Sequence, residues 1–147
     1  MAIVQAMCTL FKKDLLLGDH HLDTDDIRIA LYTSSASLDA STDAYTTSNE
    51  ITNTSGSAYV AAGQQLTSVA VAENSTSGVF DSADPEWTSA TFTARGALIY
   101  NKTLYDSDNT RGAIAVLNFG GDFTVSGGTF KIVFPAATAS NAIVRID

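Results

Sequence analysis

Residue 27 marks the change that most constrains how this chain folds: the apolar residues stop recurring every three to four positions and begin to alternate. "IRIALYT" (27–33) sets Ile27, Ile29 and Leu31 against Arg28, Ala30 and Tyr32, the period-two pattern of a strand with two faces. Short segments of the same kind follow at 58–62, 66–73, 77–81, 86–93, 96–103, 112–119, 129–134 and 141–146. Gly63, Gly78, Pro85, Gly120–Gly121, Gly127–Gly128 and Pro135 fall at or between them. Strands this closely spaced, with no helical segment between them, argue against a parallel α/β sheet and predict an all-β fold. The expected form is one domain over 1–147, an antiparallel β-sandwich or barrel-like body. "GGDFTVSGG" (120–128) lacks the Lys and following helix of a phosphate-binding loop, and its paired glycines read as hairpin turns.

Upstream of residue 27 the pattern is helical. Ile3, Met7, Leu10, Phe11 and Leu15 follow three- and four-residue steps, which predicts one short helix over 3–17 stopped by Gly18. Residues 34–57 are polar, carry weak order signals and read as a long surface loop, a length that usually serves contact.

Charge narrows the function classes. The net charge is −8 and the eight basic residues are scattered, so a nucleic-acid partner, which needs clustered Lys and Arg against phosphate, is not expected. Only 16% of residues are charged, against about 25% in ordinary domains. The 15 Ser and 18 Thr supply the surface polarity instead. No apolar run is long enough to span a membrane as a helix, and "MAIVQAMCTLFKK" has no basic residues ahead of its apolar stretch, so no secretory signal is indicated. Cys8 is the only cysteine and reads as a small buried hydrophobe. The sequons at Asn53, Asn74 and Asn101 are what so Ser/Thr-rich a chain produces by chance.

The most chemically loaded stretch is "GDHHLDTDD" (18–26), where Asp19, Asp23, Asp25 and Asp26 surround the only histidines, His20 and His21. Adjacent histidines on an extended chain point to opposite sides, so a tetrahedral zinc site could recruit one of them at most. A calcium loop needs Gly at its sixth position and Glu at its twelfth. Counted from Asp19 those are Thr24 and Ala30; counted from Asp23 they are Arg28 and Ser34. The favoured reading is an Asp-rich turn, with a loose cation site or a partner contact as alternatives. "YDSDNTRG" (105–112) fails the same test, because Arg111 stands at its sixth position, and reads as a hairpin loop. No G-x-S-x-G elbow accompanies the histidines, and nothing singles out one of Glu50, Glu73 and Glu86 as a general acid. No catalytic, cofactor-binding or metal-ligating residue is assigned, and no enzyme is expected.

One set of motifs does carry an identity signal. An Asp84-Pro85-x-Trp87 segment precedes a strand with Phe92, Ala94, Arg95 and Ala97 that ends Ile99-Tyr100-Asn101. A Leu117-x-Phe119-Gly120-Gly121 strand follows, and then Phe130-x-Ile132-x-Phe134-Pro135. This pattern resembles a group of small phage virion structural proteins, as does the opening order of helix, Gly, acidic turn, "ALYT" strand and Thr-rich loop. The resemblance covers nearly the whole chain. It implies a β-rich capsid decoration or cement protein located on the virion, most simply on the capsid surface. Its expected partner is the major capsid protein or another virion protein, and it is expected to be a homo-oligomer for which a trimer is one closed form. A tail, fibre or host-binding adhesin component is the alternative within the virion. A cellular enzyme or sugar-binding sandwich is the alternative outside it. The single tryptophan, Trp87, lies in a strand suited to burying it rather than to stacking on sugar.

Overall fold

The computed structural model describes residues 2–52 and 54–147, so the sequon residue Asn53 lies outside the described residues. The chain forms two antiparallel sheets in an all-β, sandwich-like arrangement with little helix. Its elements are β1 (Ala6–Met7), α1 (Thr9–Leu16), β2 (Ile27–Tyr32), β3 (Gln64–Gln65), β4 (Ala70–Asn74), β5 (Ser77–Asp81), β6 (Glu86–Asn101), α2 (Lys102–Ser107), β7 (Ala113–Lys131) and β8 (Val144–Ile146). The larger sheet runs β1-β7-β6-β2-β3 and the smaller β4-β5-β8.

The strand from residue 27 and the strand 77–81 form as the alternation predicts. Four expectations change. The helix is shorter, because residues 3–7 are taken into the sheet: Ile3 bridges Leu38, and Ala6 and Met7 pair with Val116 and Ala115. A few apolar residues at 3, 4, 7 and 8 fit either period, and the open edge of β7 decides between them. Gly18 does stop the helix, at φ +79, with its N–H bonded to Leu15 O.

The second change concerns 58–62, which does not form a strand. Gln64 and Gln65 pair with Ile29 and Arg28 in its place. Gly63 (φ +75) allows this approach, since a Cβ there would stand 1.9 Å from Ile29 O.

Third, 86–93 joins 96–101 in one strand, β6, with 102–103 opening α2, and 113–119 joins 129–131 in β7, with 132–134 beyond its end. Gly120–Gly121 and Gly127–Gly128 are therefore not hairpin turns but lie inside β7. There they absorb register shifts against β6: Ala94 faces Phe123 while Gly96 faces Asn118, and Thr91 faces Ser126 while Ala90 faces Gly128. Gly120 (φ +80) and Gly127 (φ +66) take the left-handed backbone that bulges require.

Fourth, the 34–57 segment runs over the surface but is firmly anchored. Ala36, Leu38, Glu50, Ile51 and Ser57 are buried, and Ile51 N–H donates to Leu31 O at 2.9 Å while Thr33 N–H donates to Asn49 O at 2.9 Å. Its hydroxyls face water while these few side chains close the core. β2 and the near half of β6 (residues 97–101) are buried on both faces, with Tyr32, Leu31, Leu98 and Ile99 at the centre. Phe80 and Val144 of the smaller sheet join the same core.

Candidate functional site

The acidic turn folds back onto the connection between β6 and β7. His20 is buried and His21 exposed, the opposite orientations that their adjacency requires. The His20 ring packs edge-on against Phe11 at 4.8 Å, its Nδ1 lies 3.3 Å from Asn101 Nδ2, and Nε2 is buried without a partner. Burial disfavours the imidazolium and lowers the pKa of His20, with Arg111 acting the same way. Asp14, Asp25 and Asp19 act in the opposite sense and are outweighed.

Three of the four carboxylates of the turn, Asp19, Asp25 and Asp26, are already occupied, while Asp23 is exposed. Asp25 Oδ2 accepts from Asn101 Nδ2 at 2.6 Å and from His21 N–H at 3.0 Å. Asp26 takes Arg28 in a forked pair at 3.0–3.1 Å, and its own N–H donates to Thr103 Oγ1 at 2.9 Å. Asp19 Oδ2 meets Arg111 Nη2 at 2.5 Å, and the same guanidinium nitrogen lies 3.1 Å from the buried Asp14. That second contact is an ion pair without hydrogen-bond alignment, since Asp14 Oδ2 and Arg111 Nε both lack a bonded partner. No group of three His, Cys, Asp or Glu side chains among the described residues is placed to hold a metal ion. The turn is a polar joint that fixes α1 and the start of β2 to the β6–β7 connection.

That connection, the stretch "YDSDNTRG", is partly helical rather than a plain hairpin loop. Asn101 caps α2 by accepting from Leu104 N–H at 3.1 Å, and Gly112 (φ +111) brings its carbonyl to Asn101 N–H at 2.7 Å. Asn101 is fully buried, so it serves as a structural hub and not as an exposed sequon. Asp108 accepts from Thr110 N–H and Oγ1, a local Asx turn. Cys8 is buried between α1 and the sheet, and burial pushes its thiol up to about 12.

A second polar centre has no local signature. Glu50, in the segment after β2, is buried and accepts from Tyr45 Oη at 2.5 Å, Tyr59 Oη at 2.6 Å and Ala62 N–H at 2.8 Å. Tyr59 Oη also accepts from Leu31 N–H at 3.0 Å, and Tyr100 Oη donates to Ala62 O at 2.6 Å. Burial first, and then the bond to Glu50, raise both the Tyr59 and Tyr45 phenols, so they stay protonated donors. These residues lie 5 to 50 positions from Glu50 in sequence, so no spacing rule finds them.

An aromatic patch lies on the far half of the β6–β7 hairpin, while other exposed apolar residues, such as Leu16, Val60 and Val71, are scattered elsewhere. Trp87, Phe92 and Phe130 form an aromatic cluster with ring centroids 5.1–6.3 Å apart, and Phe119 reaches Phe130 at 6.0 Å. Beyond them Phe123 is 53% and Val133 73% exposed. Phe119, Phe123, Phe130 and Val133 line an open groove of ≈ 460 Å³ with Val125, Ile132 and Lys131. The opposite face of the hairpin carries Thr91, Thr93, Thr124 and Ser126, with Thr93 and Thr124 hydroxyls 2.7 Å apart.

No protein-family model matches this chain, and neither a curated protein nor a solved structure does.

Proposed function

We propose that this chain is a structural component of a phage virion, a capsid decoration or cement protein that binds the major capsid protein and stabilises the head. One observation carries the reading: the Asp-Pro-x-Trp and Phe-x-Ile-x-Phe-Pro motifs that resemble small virion proteins meet in a single arm rather than around a reactive centre. Asp84 Oδ1 accepts from Phe134 N–H at 2.9 Å, and Pro85 O accepts from Ile132 N–H at 3.0 Å. These bonds clamp the Asp-Pro-x-Trp segment to the closing Phe-x-Ile-x-Phe-Pro segment. The arm so formed presents aromatic residues on one face and hydroxyls on the other, a surface for protein contact. The buried polar groups, at the acidic turn and at Glu50, are spent on holding loops to the sheet.

The test is reconstitution. Purified protein added to shells stripped of it is expected to rebind and to raise their melting temperature, as any ligand selective for the assembled state does. Density for the chain only at the tail would replace this reading with that of a tail, fibre or adhesin component. Failure to bind any virion part would discard both.

A further inference from the structure

The outer edge of β7 is open for most of its length. β1 covers it only at Ala115 and Val116, and Asn118 is held by Gln5 and Ile3. From residue 119 to 131 no described strand lies beside it on that side. Residues 119–122 loop out of the ladder, four residues between Asn118 and Phe123 against the single Arg95 of β6. From Phe123 to Lys131, at about 3.3 Å per residue, the edge is about 25 Å long, and its outward backbone N–H and C=O groups are left without a neighbouring strand. Edges of this kind are usually shortened, charged or covered. This one carries Phe119, Phe123, Val125 and Phe130 on one face.

We propose that β7 pairs with β7 of a second copy of this chain, antiparallel about a two-fold axis, in the register that sets Asp122 opposite Lys131 and Phe123 opposite Phe130. Two independent features select that register. Between 119 and 131 there is one acid, Asp122 at the end of the 119–122 loop, and one base, Lys131 at the end of β7, and the two-fold matches them twice. Each is half exposed, and their present ion pairs, Asp122 with Arg95 at 3.5 Å and Lys131 with Asp84 at 3.8 Å, are long enough to yield. The second feature is the Gly127 bulge. Before it the aromatic face holds odd-numbered residues, Phe123 and Val125, whose β6 partners are Ala94 and Phe92. After it that face passes to even numbers, with Phe130 opposite Trp87. Only because of this shift does a register that matches Asp122 to Lys131 also keep Phe123 and Phe130 on one face.

Sliding the copies by two residues sets Asp122 against Thr129 or Val133 and loses the charge match. Sliding by one turns the phenylalanines onto the hydroxyl face. In the proposed register Thr124 faces Thr129, a favourable cross-strand pair. The occupant is thus this same strand. It need not be the capsid partner, so the inference stands apart from where in a particle the chain sits. It also differs from a trimer, because an isologous edge pair closes with two copies.

The test is sedimentation equilibrium of the full chain between about 1 and 500 µM, the range suited to an interface at the small end of the scale. The expected result is a reversible dimer. Asp122→Lys and Lys131→Asp each set like charges opposite one another twice, and each is expected to raise the dissociation constant by about tenfold. An equimolar mixture of the two variants restores opposite charges in a mixed dimer and is expected to regain the affinity, a recovery that also shows both variants are folded. Phe123→Asp, at a half-exposed position, is expected to give a folded monomer by circular dichroism. A monomeric wild type, a trimer or larger closed ring, charge variants that dimerise unchanged, or a mixture without recovery would each overturn the proposal.

Discussion

Replacing Glu50 by Ala isolates the chain's most demanding buried interaction. The carboxylate receives two phenolic O–H groups and one backbone N–H at 2.5–2.8 Å, and its removal leaves three donors facing a void. A buried donor without a partner costs about 1–3 kcal/mol, and bonds to a charged acceptor lie at the upper end. Tyr59 is fully buried and cannot turn to water, whereas Tyr45 is partly exposed and recovers some hydration. Water entering the gap also relieves part of the loss. The sum is about 4 kcal/mol, a large share of the 5–15 kcal/mol that holds a domain together. Glu50→Gln keeps one acceptor oxygen for Tyr59 and Ala62 and turns its amide toward Tyr45, so it should cost only about 1–2 kcal/mol. The assay is urea unfolding at neutral pH, followed by circular dichroism, with the slope m checked against wild type. A double-mutant cycle pairing Glu50→Ala with Tyr59→Phe should show coupling of at least about 0.5 kcal/mol. Should Glu50→Ala fall within about 1 kcal/mol of wild type at unchanged m, the claim that this carboxylate pins the loop to the sheet fails.

Other expectations are more local. Burial lowers the pKa of His20 below its ordinary 6.5, so the unfolded chain takes up the proton first and stability falls as pH drops below that value. Melting curves from pH 7.5 to 5 should show this slope in wild type and a shallower one in His20→Gln; equal slopes would remove His20 as the cause. Cys8, buried and with its thiol pushed up to about 12, should resist maleimide in native protein and react fully in urea. Gly63→Ala drives a Cβ into Ile29 O and should cost more than about 3 kcal/mol. Gly120→Ala has the same hand of backbone but open space around it, and should cost only about 1–2 kcal/mol. A strong chelator should leave the melting temperature unchanged, since Arg28, Arg111 and Asn101 already occupy the acidic turn; a drop of several degrees would reveal a stabilising ion.

The alternation from residue 27 onward determined the fold class, because side chains on a strand point to alternate faces whatever the strand pairs with. It also placed β2 and β5 at their observed positions, and Gly18 as the end of α1, since that stop needs only a positive φ. The orientation of His20 against His21 followed from the same local geometry. Pairing itself lay outside its reach. Whether residues 3–7 coil or extend depends on the open flank of β7, more than a hundred positions away in sequence. Whether Gly-Gly turns the chain or bulges it depends on β6 continuing beside it, and a left-handed glycine suits both. The polar centres divide in the same way. Sequence pointed to a turn through Asp23-Thr24-Asp25-Asp26, but only the fold brought Arg111 to Asp19 and Asn101 to Asp25. Glu50 and Tyr59 became partners through the packing of a long loop on the sheet, for hydrogen bonds between residues distant in sequence leave no spacing to read.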